Sequence, residues 1–131
     1  MENPTGVPLH IKLGVTEGSS LALLHGPPEF AWTPPPGVRL TRRARGHADV
    51  VLAFFTRRST LDRQIDALGQ LIVPEGCLWV AWPKRASGVA TDVTDHVARD
   101  VALPLGLVDN KVCAIDETWT ALRFVWRLAR R

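Results

Sequence analysis

The chain has 131 residues, 46% hydrophobic and 22% charged, which bounds it to one globular domain with a substantial core. Against 13 acidic side chains stand 16 basic ones, a net charge of +3 that is too mild to indicate nucleic-acid binding by itself. No apolar run approaches the roughly eighteen residues of a membrane span, and MENPTGVPLHIKLGV lacks the basic start and apolar core of a secretory signal.

Residues 1–18 read as an irregular lead-in, broken by Pro4, Gly6, Pro8, Gly14 and Gly18. Leu21-Ala22-Leu23-Leu24 is a short buried strand, followed at once by His25-Gly26-Pro27-Pro28. Glu29 to Trp32 fits one helical turn, stopped by Pro34-Pro35-Pro36-Gly37. Val38–Thr41 alternates apolar and polar as an edge strand does, and Arg42, Arg43 and Arg45 follow it. Asp49–Phe55 is a continuous apolar run, which suits a central parallel strand covered on both faces. Thr56-Arg57-Arg58 closes that strand.

Ser59 and Asp62 have the spacing of a capping box. The helix beyond carries Leu61, Ile65, Leu68 and Leu71 or Ile72 on one face. Pro74-Glu75-Gly76 reads as a turn that separates the helix from the second continuous run, Cys77–Trp82. Pro83 ends that strand, because it offers no N–H to a ladder. Lys84, Arg85, Ser87 and Gly88 then form a basic loop at the strand's carboxyl end, where open α/β sheets bind their ligands.

Thr91 or Thr94 can cap a second helix with Val93, Val97 and Val101 on one face, ended by Pro104 and Gly106. Leu107–Ile115 is a third strand and Trp119–Leu128 the last. Leu122, Phe124, Trp126 and Leu128 face one way and Arg123 and Arg127 the other. Asp116-Glu117-Thr118 is too short for a crossover, so these two strands form an antiparallel hairpin. Cys77 and Cys113 lie in apolar runs and read as buried thiols of a cytoplasmic protein rather than a disulfide. No CxxC or HExxH pattern is present and the four histidines have no ligand spacing, so no metal is expected.

The expected fold is a three-layer Rossmann-like α/β sandwich over residues 1–131, a mostly parallel sheet with an antiparallel C-terminal hairpin. The order of elements resembles the second half of the S-adenosylmethionine-dependent methyltransferase fold. Asp49–Phe55 matches its DVVL-type strand, and Val73–Val80 its xPGGxLxV-type strand, with Glu75 where the first glycine of the pair would be. The resemblance implies that the last strand lies between its two neighbours, whereas Arg123 and Arg127 suit an edge. The chain departs from the pattern at the glycine-rich turn after the first strand and at the acidic residue after the second. Prolines 27 and 28 remove the N–H donors that such a turn offers.

Lys12-Leu13-Gly14, Leu78–Lys84, Ser87-Gly88, Gly106–Asp109, Lys111–Asp116, Thr118-Trp119 and Leu122–Val125 together resemble a bacterial family of compact single domains known only as a domain of unknown function. That resemblance brings no catalytic role with it.

The expected function is a non-catalytic small-anion-binding or regulatory domain, with no cofactor. Its site is drawn from Lys84, Arg85, Ser87, Gly88, Arg57, Arg58, His25 and Gly26, cations near strand and helix ends that suit phosphate or carboxylate. A protein partner is the other occupant considered. The alternative is an S-adenosylmethionine-dependent small-molecule methyltransferase, with His25, Asp49, Asp116 and Glu117 as the acid–base candidates. A further alternative is weak nucleic-acid binding by the arginine pairs, with Trp119 as an exposed stacking residue.

Overall fold

The computed structural model describes residues 7–127. One six-stranded sheet forms its middle layer, in the order β2-β1-β3-β4-β6-β5. The strands are β1 (Ser20–Leu24), β2 (Arg39–Thr41), β3 (Ala48–Phe54), β4 (Ile72–Pro83), β5 (Leu107–Ala114) and β6 (Trp119–Trp126). The helices are α1 (Leu9–Leu13), α2 (Arg58–Leu71) and α3 (Asp95–Ala102). β1 pairs in parallel with β2 and β3, and β3 in parallel with β4. β6 runs antiparallel to both β4 and β5. The expected α/β class, with its C-terminal hairpin, is what the chain adopts.

β3 and β4 form the centre because their apolar runs have no polar face to give to water. One face of the sheet offers Val51, Ala53, Leu78, Val80, Leu122 and Phe124, covered by Leu61, Ile65 and Leu68 of α2 and by Ala98, Val101 and Ala102 of α3. The other face offers Leu21, Leu23, Val50, Leu52, Phe54, Trp79 and Ala81, covered by Leu9, Leu13 and Val15 and by Phe30 and Trp32 of the β1–β2 connection. Among the described residues, that second layer holds only one short helix. Its geometry is fixed by Trp79, fully buried, whose indole N–H donates to the Leu13 carbonyl at 3.0 Å. Lys12 reaches across from α1 to donate to the Ala114 carbonyl at 2.7 Å. The lead-in is therefore not irregular throughout. Glycine at residue 14 takes a left-handed φ of 83° to end α1.

β6 lies between β4 and β5, as the methyltransferase pattern implies and against the edge placement that its arginines favour. Arg123 finds a polar partner without an edge, donating to Asn110 Oδ1 at 3.1 Å. Leu122, Phe124 and Trp126 do share a face; Leu128 lies outside the described residues. Trp126 donates to the Gly69 carbonyl of α2 at 3.1 Å. A Cβ on Gly69 would come within 2.9 Å of that indole, so glycine permits the close crossing.

Three local expectations change. Ser59 does not cap α2; the N-cap position is Arg57, and the Arg58 N–H is taken by Asp92 Oδ1 at 2.6 Å. The loop before α3 thus caps α2 from a distance in sequence. Pro74-Glu75-Gly76 does not separate α2 from the strand, because β4 begins at Ile72. Ala48 pairs with Ile72 and Val50 with Cys77, so five steps along β4 oppose two along β3, and the turn residues form a bulge within the strand. Residues 29–32 form no helix. Phe30 N donates to the Pro27 carbonyl, and the chain then runs extended with Phe30 and Trp32 against the core. Thr94 does cap α3, accepting from Val97 N at 3.1 Å.

Candidate functional site

The chain leaves β1 on one side for β2 and returns on the other as β3. The carboxyl ends of β1 and β3 therefore diverge into a crevice, the topological switch point where doubly wound sheets bind ligands. A cleft of about 500 Å³ lies there, within the range of small-molecule sites. Three stretches build most of its wall. His25, Pro27 and Glu29 come from the end of β1; Phe54, Phe55, Thr56, Arg57 and Thr60 come from the end of β3 and the first turn of α2. Val89 from the loop after β4 and Trp119 from the start of β6 complete it.

The cleft combines aromatic walls with one cation, one anion, one imidazole and two hydroxyls. Trp119 meets Phe54 edge-on at 5.0 Å, and Phe30 packs on Phe54 at 4.9 Å. Trp119 is buried, which overturns the exposed stacking role expected of it. Its indole N–H is enclosed with no acceptor among the described residues, a group that contributes more once an acceptor oxygen reaches it. His25 adopts φ 58°, the only non-glycine residue among those described in the left-handed region. The turn that follows the first strand is thus made without the glycine that usually makes it.

Of the expected site residues, His25 and Arg57 line the cleft. Gly26 follows His25, exposed, and a Cβ there would meet nothing nearer than Leu23 at 3.8 Å, so no close approach requires glycine. Arg58 lies 3.6 Å from Asp62 on the outside of α2. The basic loop is occupied with holding itself and the hairpin. Lys84 donates its backbone N–H to the Thr118 carbonyl at 2.7 Å and its ammonium to the Asp116 carbonyl at 2.8 Å. Ser87 Oγ donates to the Lys84 carbonyl at 2.6 Å, and Gly88 at φ 78° ends the 3₁₀ turn Arg85–Ser87. Arg85 stands exposed on that turn. From this loop it is Val89, an apolar side chain, that reaches the cleft.

The acid–base candidates divide similarly. Asp49 sits at the amino end of β3, away from the cleft, and accepts from Ser20 N at 2.9 Å. Asp116 is a turn residue whose Oδ1 accepts from Thr118 N and Trp119 N, both at 2.8 Å. Glu29 is not among the expected site residues, because Glu29 to Trp32 reads as one helical turn; in the structure the stretch forms no helix and Glu29 lines the cleft. Arg42, Arg43 and Arg45 are exposed beyond β2 and are not on the cleft wall. A second hollow of about 620 Å³ lies beside α1, lined by residues 10, 11, 14–17, 35 and 36, near the amino ends of β1 and β2. It does not lie at the strand ends where such sheets bind ligands. Cys77 and Cys113 are free and buried, and burial pushes both thiols up from their ordinary range.

No family model matches the chain, and no curated protein matches it. Solved structures do. A TehB-like SAM-dependent methyltransferase from Corynebacterium glutamicum superposes with TM-score 0.54 at 9% identity, over 89% of this chain and 85% of its own. LepI in complex with SAH and a substrate analogue gives TM-score 0.56 at 14% identity over 91% of this chain, and a structure described as a pericyclic reaction enzyme gives 0.54 at 12% over the same share. The chain spans 39% of the length of each of these last two. At such identities the likeness is one of architecture, and the chain has a methyltransferase-like Rossmann fold.

Proposed function

We propose that the protein binds S-adenosylmethionine in the switch-point cleft and acts as a methyltransferase on a small acceptor. The observation that carries this is the cleft itself, at the switch point of a sheet whose order and hairpin are those of a methyltransferase-like fold. Its residues suit such a ligand despite the altered turn. The edges of Phe54, Phe55 and Trp119, all buried in the core, give the cleft an apolar lining for an adenine or an acceptor ring. Glu29 offers a carboxylate to ribose hydroxyls, the role that the chain lacks after β2. Arg57 offers a guanidinium to a carboxylate. When bound, S-adenosylmethionine would supply an activated methyl group. The chain's part is to hold the acceptor beside it, exclude water with the aromatic walls and take up a proton.

The small-anion or regulatory domain is the second reading. Prolines 27 and 28 favour it, since they remove N–H donors from the turn. The motif residues that resemble a bacterial single-domain family do not decide between the two. Lys12, Trp79, Lys84 and Asp116 brace α1 and the hairpin, so they support a common fold more than a common ligand. A cytoplasmic location suits the two free thiols.

Isothermal titration of the full chain with S-adenosylmethionine, S-adenosylhomocysteine and inorganic phosphate tests the proposal. Saturable binding of the two adenosyl compounds, weakened by Glu29→Ala and by Arg57→Ala, is expected. Heat from phosphate alone would replace the methyltransferase with the anion-binding domain.

A further inference from the structure

We infer that His25 is the proton acceptor of the cleft, with its tautomer set by Gln64, and that the compound it serves carries an acidic O–H. The inference deepens the proposed function and rests on a ligand occupying that cleft. His25 directly follows β1 with φ 58°, a conformation unfavourable for a non-glycine residue. Such strain persists where the surroundings hold the residue in place. Two contacts hold this ring. It meets Phe55 edge-on at 5.5 Å, and its Nε2 lies 2.7 Å from Gln64 Oε1.

A carboxamide oxygen can only accept, so Nε2 carries the hydrogen. A neutral imidazole has one N–H, and Nδ1 therefore keeps its lone pair. No side chain among the described residues takes that lone pair. Gln64 is one helical turn beyond Thr60, which lines the cleft, so α2 supplies both a wall and the group that orients the base. The arrangement is a base held by a neutral orienter. The charged side chains that line the cleft together with the ring are Glu29 and Arg57, of opposite sign, and the apolar contact is Phe55.

In the step, the O–H bond of the acceptor breaks and its proton passes to Nδ1. The electron pair stays on oxygen, which becomes the nucleophile. The imidazolium formed still donates from Nε2 to Gln64, and the exposed ring can return its proton to water. A phenol or catechol is the acceptor class that fits, because the apolar edges of Phe54, Phe55 and Trp119 line the cleft beside the base and the oxygen is acidic enough to share a proton with imidazole.

Nitrogen-15 side-chain spectra of the full chain test the geometry without turnover. The expected result is one Nε2–H tautomer for His25, and a mixture of tautomers in Gln64→Leu with the amide spectrum otherwise kept. A dominant Nδ1–H tautomer, or no response to Gln64→Leu, overturns the inference. The proton step is read with 4-nitrocatechol, whose phenolate absorbs visible light, added to protein with S-adenosylhomocysteine. The phenolate band should grow on binding and fall severalfold in His25→Asn, a side chain that tolerates the left-handed backbone. An unchanged band in His25→Asn overturns the inference as well. Failure of S-adenosylhomocysteine to bind, with the tautomer result intact, removes the proposed ligand and leaves the oriented base.

Discussion

Lys84 and Asp116 separate a structural role from a functional one most sharply. The loop after β4 reads as a cation cluster, yet Lys84 is a clamp on the β5–β6 connection. Lys84→Met keeps the aliphatic stem and removes the ammonium from the Asp116 carbonyl, a bond of 2.8 Å. Charge-assisted bonds contribute about 1.5–3 kcal/mol when buried; this group is half-buried, so a loss of about 1 kcal/mol is expected. Asp116→Ala should cost more. Asp116 is 8% exposed as a residue, and its carboxylate accepts from two backbone N–H groups, the one on Trp119 being buried. Stranding buried donors costs roughly 1–3 kcal/mol each, so about 2–4 kcal/mol is expected, or a fall in Tm on the order of 10 °C. Arg85→Ala, on the exposed turn, should stay within about 0.5 kcal/mol of the parent. Urea unfolding of the three variants gives the ranking Asp116→Ala, then Lys84→Met, then Arg85→Ala. A Lys84→Met variant as stable as the parent would refute the clamp and return Lys84 to the list of free cations.

Further outcomes follow from the packing. Gly69→Ala should destabilise by about 1–3 kcal/mol through overpacking against Trp126, despite alanine's better helix propensity, and a thermal melt decides the sign. Gly76→Ala should cost at least as much, since its Cβ would lie 2.6 Å from the Asp49 carbonyl oxygen, which cannot move aside as a side chain can; the same melt ranks the two. Burial raises both thiols, so at any pH below the ordinary cysteine range less thiolate forms than in free cysteine. Cys77 and Cys113 should therefore resist a thiol-titrating disulfide at pH 8 and react together on unfolding in urea; rapid labelling of the native chain would contradict their burial.

The fold was legible because its strongest signals are one-dimensional. The unbroken apolar runs of β3 and β4 and the one-turn spacing of the apolar residues of α2 each have one structural meaning. The three-residue link at Asp116–Thr118 forces a hairpin. What sequence could not give was long-range pairing. Asp92 caps α2 from across a strand, and nothing near Ser59 betrays that its capping spacing goes unused. Lys84 looks like a free cation until the hairpin folds its carbonyls against it. The cleft was half legible. Topology indicates the strand carboxyl ends, His25 and Arg57 among them, but the loop Lys84–Gly88 that reads as the main site is not on the cleft wall. Its walls were not legible, since Phe54, Phe55 and Trp119 read as core residues, and they are core residues whose edges also face a crevice.

The crevice between β1 and β3 is proposed to hold an adenosyl ligand. The most direct test is an amide and indole nitrogen spectrum of the full chain titrated with S-adenosylhomocysteine. Shifts are expected at His25, Thr56, Arg57, Thr60 and Val89, and at the indole N–H of Trp119, which has no acceptor among the described residues. Shifts confined to Lys84–Gly88 or to the hollow beside α1, or no shifts at saturating concentration, would contradict the proposal.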